Sequence, residues 1–166
     1  MKKILTFITF VSLAAFFLIS CSSRAREEET YEIKAIGVGN VIFHQAQACI
    51  NQSKAYRTAW EYAKVTGMDF KSAADEILGQ DMKDNKQMML ENKAQIEGML
   101  QELKKPPDKY SEAHKKLKEL YEIYLKLHNL AIEPLNDMEK HDASVNDLAA
   151  QTMKKKEELD NIYDYQ

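Results

Sequence analysis

The 166-residue sequence predicts an all-α fold: an up-down four-helix bundle carried on a flexible N-terminal tether. Three observations predict it. From Asn40 onward, apolar residues recur at steps of three and four, the period of one helix face. No segment shows the strict alternation of a half-buried strand. Gly67, Gly79, Pro106-Pro107 and Pro134 cut the pattern into long pieces of roughly 25 residues, each ~38 Å as a helix. Short connections between pieces of similar length favour antiparallel neighbours. A three-helix bundle with a loose fourth helix is the alternative.

The first element is a leader. Lys2 and Lys3 precede an uncharged, mostly apolar run, 4–20, which would span about 25 Å as a helix. That is marginal for a hydrocarbon core of ~30 Å, and the positive start with a small residue at the end describes a signal peptide. Leu18-Ile19-Ser20-Cys21 resembles the lipobox of bacterial lipoproteins: an aliphatic residue, a tolerant position, a small residue, then Cys. The resemblance implies that Cys21 receives a diacylglyceryl group and that a dedicated peptidase recognises Leu18, Ile19 and Ser20 and cleaves before Cys21. Two or more acyl chains, at ~0.8 kcal/mol per buried CH₂, suffice for stable anchoring. Ser22 stands where an inner-membrane retention signal resembling the family's would have Asp. The expected location is therefore the extracytoplasmic face of a membrane, the outer membrane where the host has two.

With residues 1–20 removed, 146 residues remain, enough for one domain with its own core. Two of the 23 basic residues leave with the leader, so the mature chain stands at −5 against its 26 acidic residues. An acidic chain is a poor nucleic-acid ligand, and that class is excluded. Lipidation consumes one of two cysteines, so Cys49 has no intramolecular partner and reads as a small buried apolar residue.

Residues 21–38 read as the lipidated tether, charged and aperiodic through SSRAREEETYEIK, with Gly37 and Gly39 marking a loose turn. The bundle domain is expected over 39–166. Asn40 is placed to cap a first helix with the stripe Ile42, Ala46, Cys49, Ser53, Tyr56, Trp60 and Ala63, ending near Thr66-Gly67. Asp69 caps a short helix, 70–78. The second long helix, 80–104, carries Met82, Asn85, Met89, Asn92, Ile96, Met99 and Leu103, and Pro106-Pro107 stops it. Asp108 opens the third, with Tyr110, Ala113, Leu117, Leu120, Tyr124, Leu127 and Ala131, and Pro134 stops that. Asn136 tolerates a left-handed conformation and Asp137 caps the fourth, which uses Met138, Val145, Leu148, Thr152, Leu159 and Ile162.

The Trp60, Asp69-Phe70 and Ala74 region, the Pro106-Pro107 break, Leu120-Tyr121 with Tyr124, and Pro134 with Val145-Asn146-Asp147-Leu148 together resemble small helical bacterial lipoproteins of unassigned function. The resemblance implies architecture and location, and no activity.

Chemical signatures are sparse. The residues three before His44, His114, His128 and His141 are Val41, Ser111, Leu125 and Met138, so the Glu-x-x-His of di-iron bundles is missing. His114 and His128 share a helix face but stand ~21 Å apart along it. His114 and His128 each read as a boundary residue beside the core. H-E-x-x-H and G-x-S-x-G are also missing from the sequence, so no enzyme, metal or cofactor is expected. The expected function is a non-enzymatic interaction or scaffolding module, held to the membrane by lipid on Cys21 and contacting an envelope protein or the cell wall. The alternative is a small-ligand or lipid carrier with a pocket between helices. Met82, Met89, Tyr121 and Tyr124 are the candidate ligand or partner surface, since methionine-rich surfaces adapt to varied partners and tyrosines suit boundary positions.

Overall fold

Caps and breakers act locally, and they define most of the elements. The computed structural model describes the backbone of residues 2–164 and the side chains of residues 25–163. The chain is all-helical: α1 (Lys2–Thr66), α2 (Phe70–Ile77), α3 (Gly79–Glu102), a 3-10 turn (Asp108–Tyr110), α4 (Ser111–Ile132) and α5 (Met138–Asp164). Among the described residues there is no strand, and no helix is long and apolar enough to cross a membrane.

Asp69 accepts from the Ser72 amide at 3.1 Å and starts α2. Asp137 accepts from the Lys140 amide at 3.0 Å and starts α5. Both carboxyls are held below their usual range, first of all by hydrogen bonds from Ser72 to Asp69 and from the Lys140 amide to Asp137. Gly67, at φ 75°, turns the chain out of α1. Asn136 does not use its left-handed option, because no residue other than glycine has positive φ among those described.

The largest departure from expectation is at the start of the body. Residues 25–38 are not a tether: they continue α1, and Tyr31, Ala35 and Val38 are buried. Asn40 is therefore an exposed residue inside a helix rather than its cap. The physical reason is that Tyr31, Ala35, Val38 and Ile42 step by four, three and four, extending the first helix's stripe backwards through the charged stretch. Gly39 is a point of close approach. A Cβ there would meet Leu159 Cδ2 at 2.8 Å and Leu117 Cδ1 at 3.6 Å, so α4 and α5 both pack onto the bare backbone. Gly37, two residues earlier, faces open space.

All seven residues expected on the first-helix stripe are buried, as are all seven on the third. α1, α4 and α5 pack against one another, while α3 lies against α1 and more lightly against α4, with α2 tucked against α1 and α3. One continuous apolar cluster runs from Tyr31 to Ala131 through Leu117, Leu120 and Leu159. Each such leucine, fully buried, contributes about 1.5–3 kcal/mol.

The seams differ in chemistry. Between α1 and α3, Asn85 donates to Gln52 at 3.0 Å and Asn92 donates to Gln45 at 2.9 Å. Both pairs repeat at seven residues, which keeps the amides on one face of each helix. Between α4 and α5, Lys116 and Lys155 share Glu158, each at 2.8 Å, and Lys155 also reaches Glu119 at 2.8 Å. Hydrogen bonds from Lys116 and Lys155 bring the Glu158 carboxyl down to about 2. These pairs are solvent-screened, so they fix register more than they stabilise.

Candidate functional site

Ten residues beyond Cys21, α1 brings Tyr31 and Glu32 to one end of the body. The 3-10 turn supplies Lys109 and Tyr110, the first turn of α4 supplies His114, and the last turn of α5 supplies Tyr163. The Tyr31 hydroxyl lies 3.0 Å from His114 Nδ1. Tyr31 stacks on Tyr110 with ring centroids 5.5 Å apart, and Tyr163 follows at 6.2 Å. The Tyr110 hydroxyl donates to Glu32 and accepts from Lys109 Nζ at 3.3 Å. Burial pushes the Tyr31 hydroxyl up to about 12 and also raises Tyr163. Burial, aided by Lys118, lowers His114. The central pair is therefore neutral near pH 7, a phenol beside an uncharged imidazole.

The opposite end is an aromatic box. Trp60 stacks on Phe70 at 4.3 Å, and Tyr56 meets Trp60, Phe70 and His141 edge-on at 6.0–6.3 Å. Tyr56 donates to the Ala131 carbonyl at 2.7 Å. His141 is fully buried and its Nδ1 accepts from the Leu135 amide at 3.3 Å, which ties the loop before α5 to the first turn of α5. Burial lowers His141.

The sequence-derived surface does not assemble. Met89 and Tyr124 belong to the main cluster, Met82 belongs to the aromatic box, and all three are buried. Tyr121 alone is half-buried, and its hydroxyl donates to Glu97 at 2.9 Å. Methionine at these stripe positions fills core volume, so it presents no adaptable face. His114 and His128 also differ from the boundary positions expected of them: both are inside, as is His141, while His44 is exposed. Cys49 is buried and free, and burial pushes its thiol up to about 12, far from a reactive thiolate. Cys21 and its recognition residues Leu18, Ile19 and Ser20 lie outside the residues whose side chains are described.

Among the described residues, no three of His, Cys, Asp and Glu converge in a way that could hold a metal ion. The surface grooves among the described residues include two beside α1. One of about 310 Å³ lies between α1 and α3, lined by Val38, Val41, Met99 and Leu103 with Lys34 and Glu102 at its edge. The other, about 540 Å³, runs between α1 and α5 past Phe43, His44, Met153 and Asp160. Tyr31, which frames the charged end, is the site residue that no sequence motif marks, and the Tyr31-Ala35-Val38 spacing is the one signal for it. No protein-family model, curated protein or solved structure matches this chain.

Proposed function

We propose that this chain is a cell-envelope lipoprotein whose helical body is a non-enzymatic interaction or scaffolding module at the extracytoplasmic face of a membrane. The observation that carries the reading is Leu18-Ile19-Ser20-Cys21, set at the end of an apolar run behind Lys2 and Lys3. Support for a scaffolding body comes from how its reactive side chains are used. Tyr31 and His114, Tyr110 and Glu32, and the Lys116, Lys155, Glu119 and Glu158 network all hold helix to helix. Contacts such as Gln45 to Asn92, Tyr121 to Glu97 and Lys116 to Glu158 pair neighbours antiparallel, whereas Tyr31 to His114 and Tyr56 to Ala131 run parallel between α1 and α4. These directions support an up-down four-helix bundle with α1 and α4 facing each other across its short diagonal.

The apolar α1–α3 groove of about 310 Å³ favours a second reading, a carrier for a small apolar ligand or lipid chain. The leading proposal is tested by growing cells on an alkyne fatty acid. The wild-type protein should take up label and fractionate with membranes, and C21S should lose both properties. Label retained by C21S, or a wild-type protein found unlabelled in the soluble fraction, removes the anchor. Stoichiometric recovery of labelled lipid with the C21S protein would instead favour the carrier.

A further inference from the structure

The first docked turns of α1 look like a linker in sequence and are packed in structure, and the groups that hold them down include a histidine. We propose that residues 25–38 form an acid-released latch: docked at neutral pH through Tyr31 on His114, and freed about Gly37 when His114 takes a proton. Among the described residues, the His114 Nε2 has no hydrogen-bond partner and is buried. Protonation makes both ring nitrogens donors, so Nδ1 loses the lone pair that accepts from the Tyr31 hydroxyl while the Nε2 N–H still has no partner, in a site already shaped against cationic charge. The surrounding charges are mixed. Lys118 on α4 opposes an imidazolium, while Lys109 on the 3-10 turn and Glu32 and Glu28 on α1 offset one another in the adjoining cluster, which Tyr110 and Tyr163 face as neutral phenols. Burial is the largest influence on the ring, and undocking α1 is the movement that rehydrates it.

The hinge is Gly37. It stands in mid-helix with open space where a side chain would go, so packing does not require glycine there, and glycine weakens the helix at that point. Beyond it, Gly39 is clamped by Leu117 and Leu159, which fixes where release stops. The consequence for reach rests on the lipid anchor at Cys21, although the latch itself does not. Docked, Tyr31 is ten residues from Cys21, ~15 Å as a helix. Released, the segment to residue 37 could extend to roughly 55 Å.

Hydrogen exchange on the full mature chain in detergent, corrected for intrinsic rates, tests this at pH 7.5 and 5.5. Amides of residues 25–38 should open about threefold or more often at the lower pH, with residues 113–131 unchanged. H114Q, which can still accept from Tyr31 but does not titrate, should abolish the pH response. G37A should reduce opening about two- to fivefold at both pH values. The latch is overturned if residues 25–38 respond no more than residues 113–131, if H114Q responds like wild type, or if G37A opens as readily. C21S run alongside should show the same exchange pattern, so failure of the anchor and failure of the latch are read separately.

Discussion

The two ends of the body bury similar numbers of aromatic rings by different means. At the far end, Tyr56, Trp60, Phe70 and His141 interlock ring on ring, beside a capped α2 and a tied loop. At the end near Cys21, Tyr31, Tyr110 and Tyr163 are held by hydroxyl, carboxylate, ammonium and imidazole groups, and Gly37 follows Tyr31 within two turns of α1. The stack of Tyr56, Trp60 and Phe70 does not titrate near neutral pH, with His141 as its one titrating neighbour, and it is hard to undo piecemeal, whereas the polar end is held throughout by groups that depend on protonation states. The contrast teaches that the molecule has a fixed end and a conditional one.

The strongest way to break this contrast is at the fixed end. Trp60→Ala should cost about 3–5 kcal/mol, seen as a lower urea midpoint with an unchanged slope. A loss confined to residues 60–78 would show that the box is not coupled to the rest. Acid should come next. His114, His128 and His141 all have folded pKa values lowered by burial from 6.5. Their neutral forms are favoured by the fold, so stability is full above about 6.5 and falls as pH drops below it, because the unfolded chain binds protons first. A thermal midpoint unchanged between pH 7.5 and 5 would contradict this. Below pH 4.5 the protonation of Glu119 and Glu158, both lowered by their lysine partners, should add a second decline.

At the conditional end, Tyr31→Phe keeps the ring stack and removes one hydrogen bond, a loss of about 0.5–1.5 kcal/mol. Trypsin should then cut faster at Arg26 and Lys34 with little change in the global midpoint. A global loss as large as that of Trp60→Ala would erase the distinction between the ends. The smallest effect should be a gain. Gly37→Ala in open space should stabilise by about 0.5–1 kcal/mol, measured by urea unfolding.

How legible these features are in the sequence depends on how local their causes are. Asp69, Pro106-Pro107, Pro134 and Asp137 act on neighbouring residues, and α2 to α5 begin and end within about two residues of where those signals put them. The stripe from Tyr110 to Ala131 is equally plain, since its periodicity is unbroken by charge or glycine. Tyr31 was missed because its partner His114 lies 83 positions away, and nothing local to Glu27-Glu28-Glu29 announces a packed helix. The depth of His128 and Tyr124 is hidden for a related reason. A stripe shows which side of a helix is apolar, but not how much protein stands opposite. Gly37 and Gly39 look alike in sequence, a loose turn, although one faces open space and the other touches two leucines.

One feature of α1 also governs orientation. Because residues 25–66 form one unbroken helix while docked, each position along it is fixed in azimuth as well as in height. One residue inserted between Arg26 and Thr30 would turn everything before it by about 100° relative to the body. The segment leading to Cys21 then acts as a keyed shaft: its length in residues sets which groove turns towards a neighbour and which turns away.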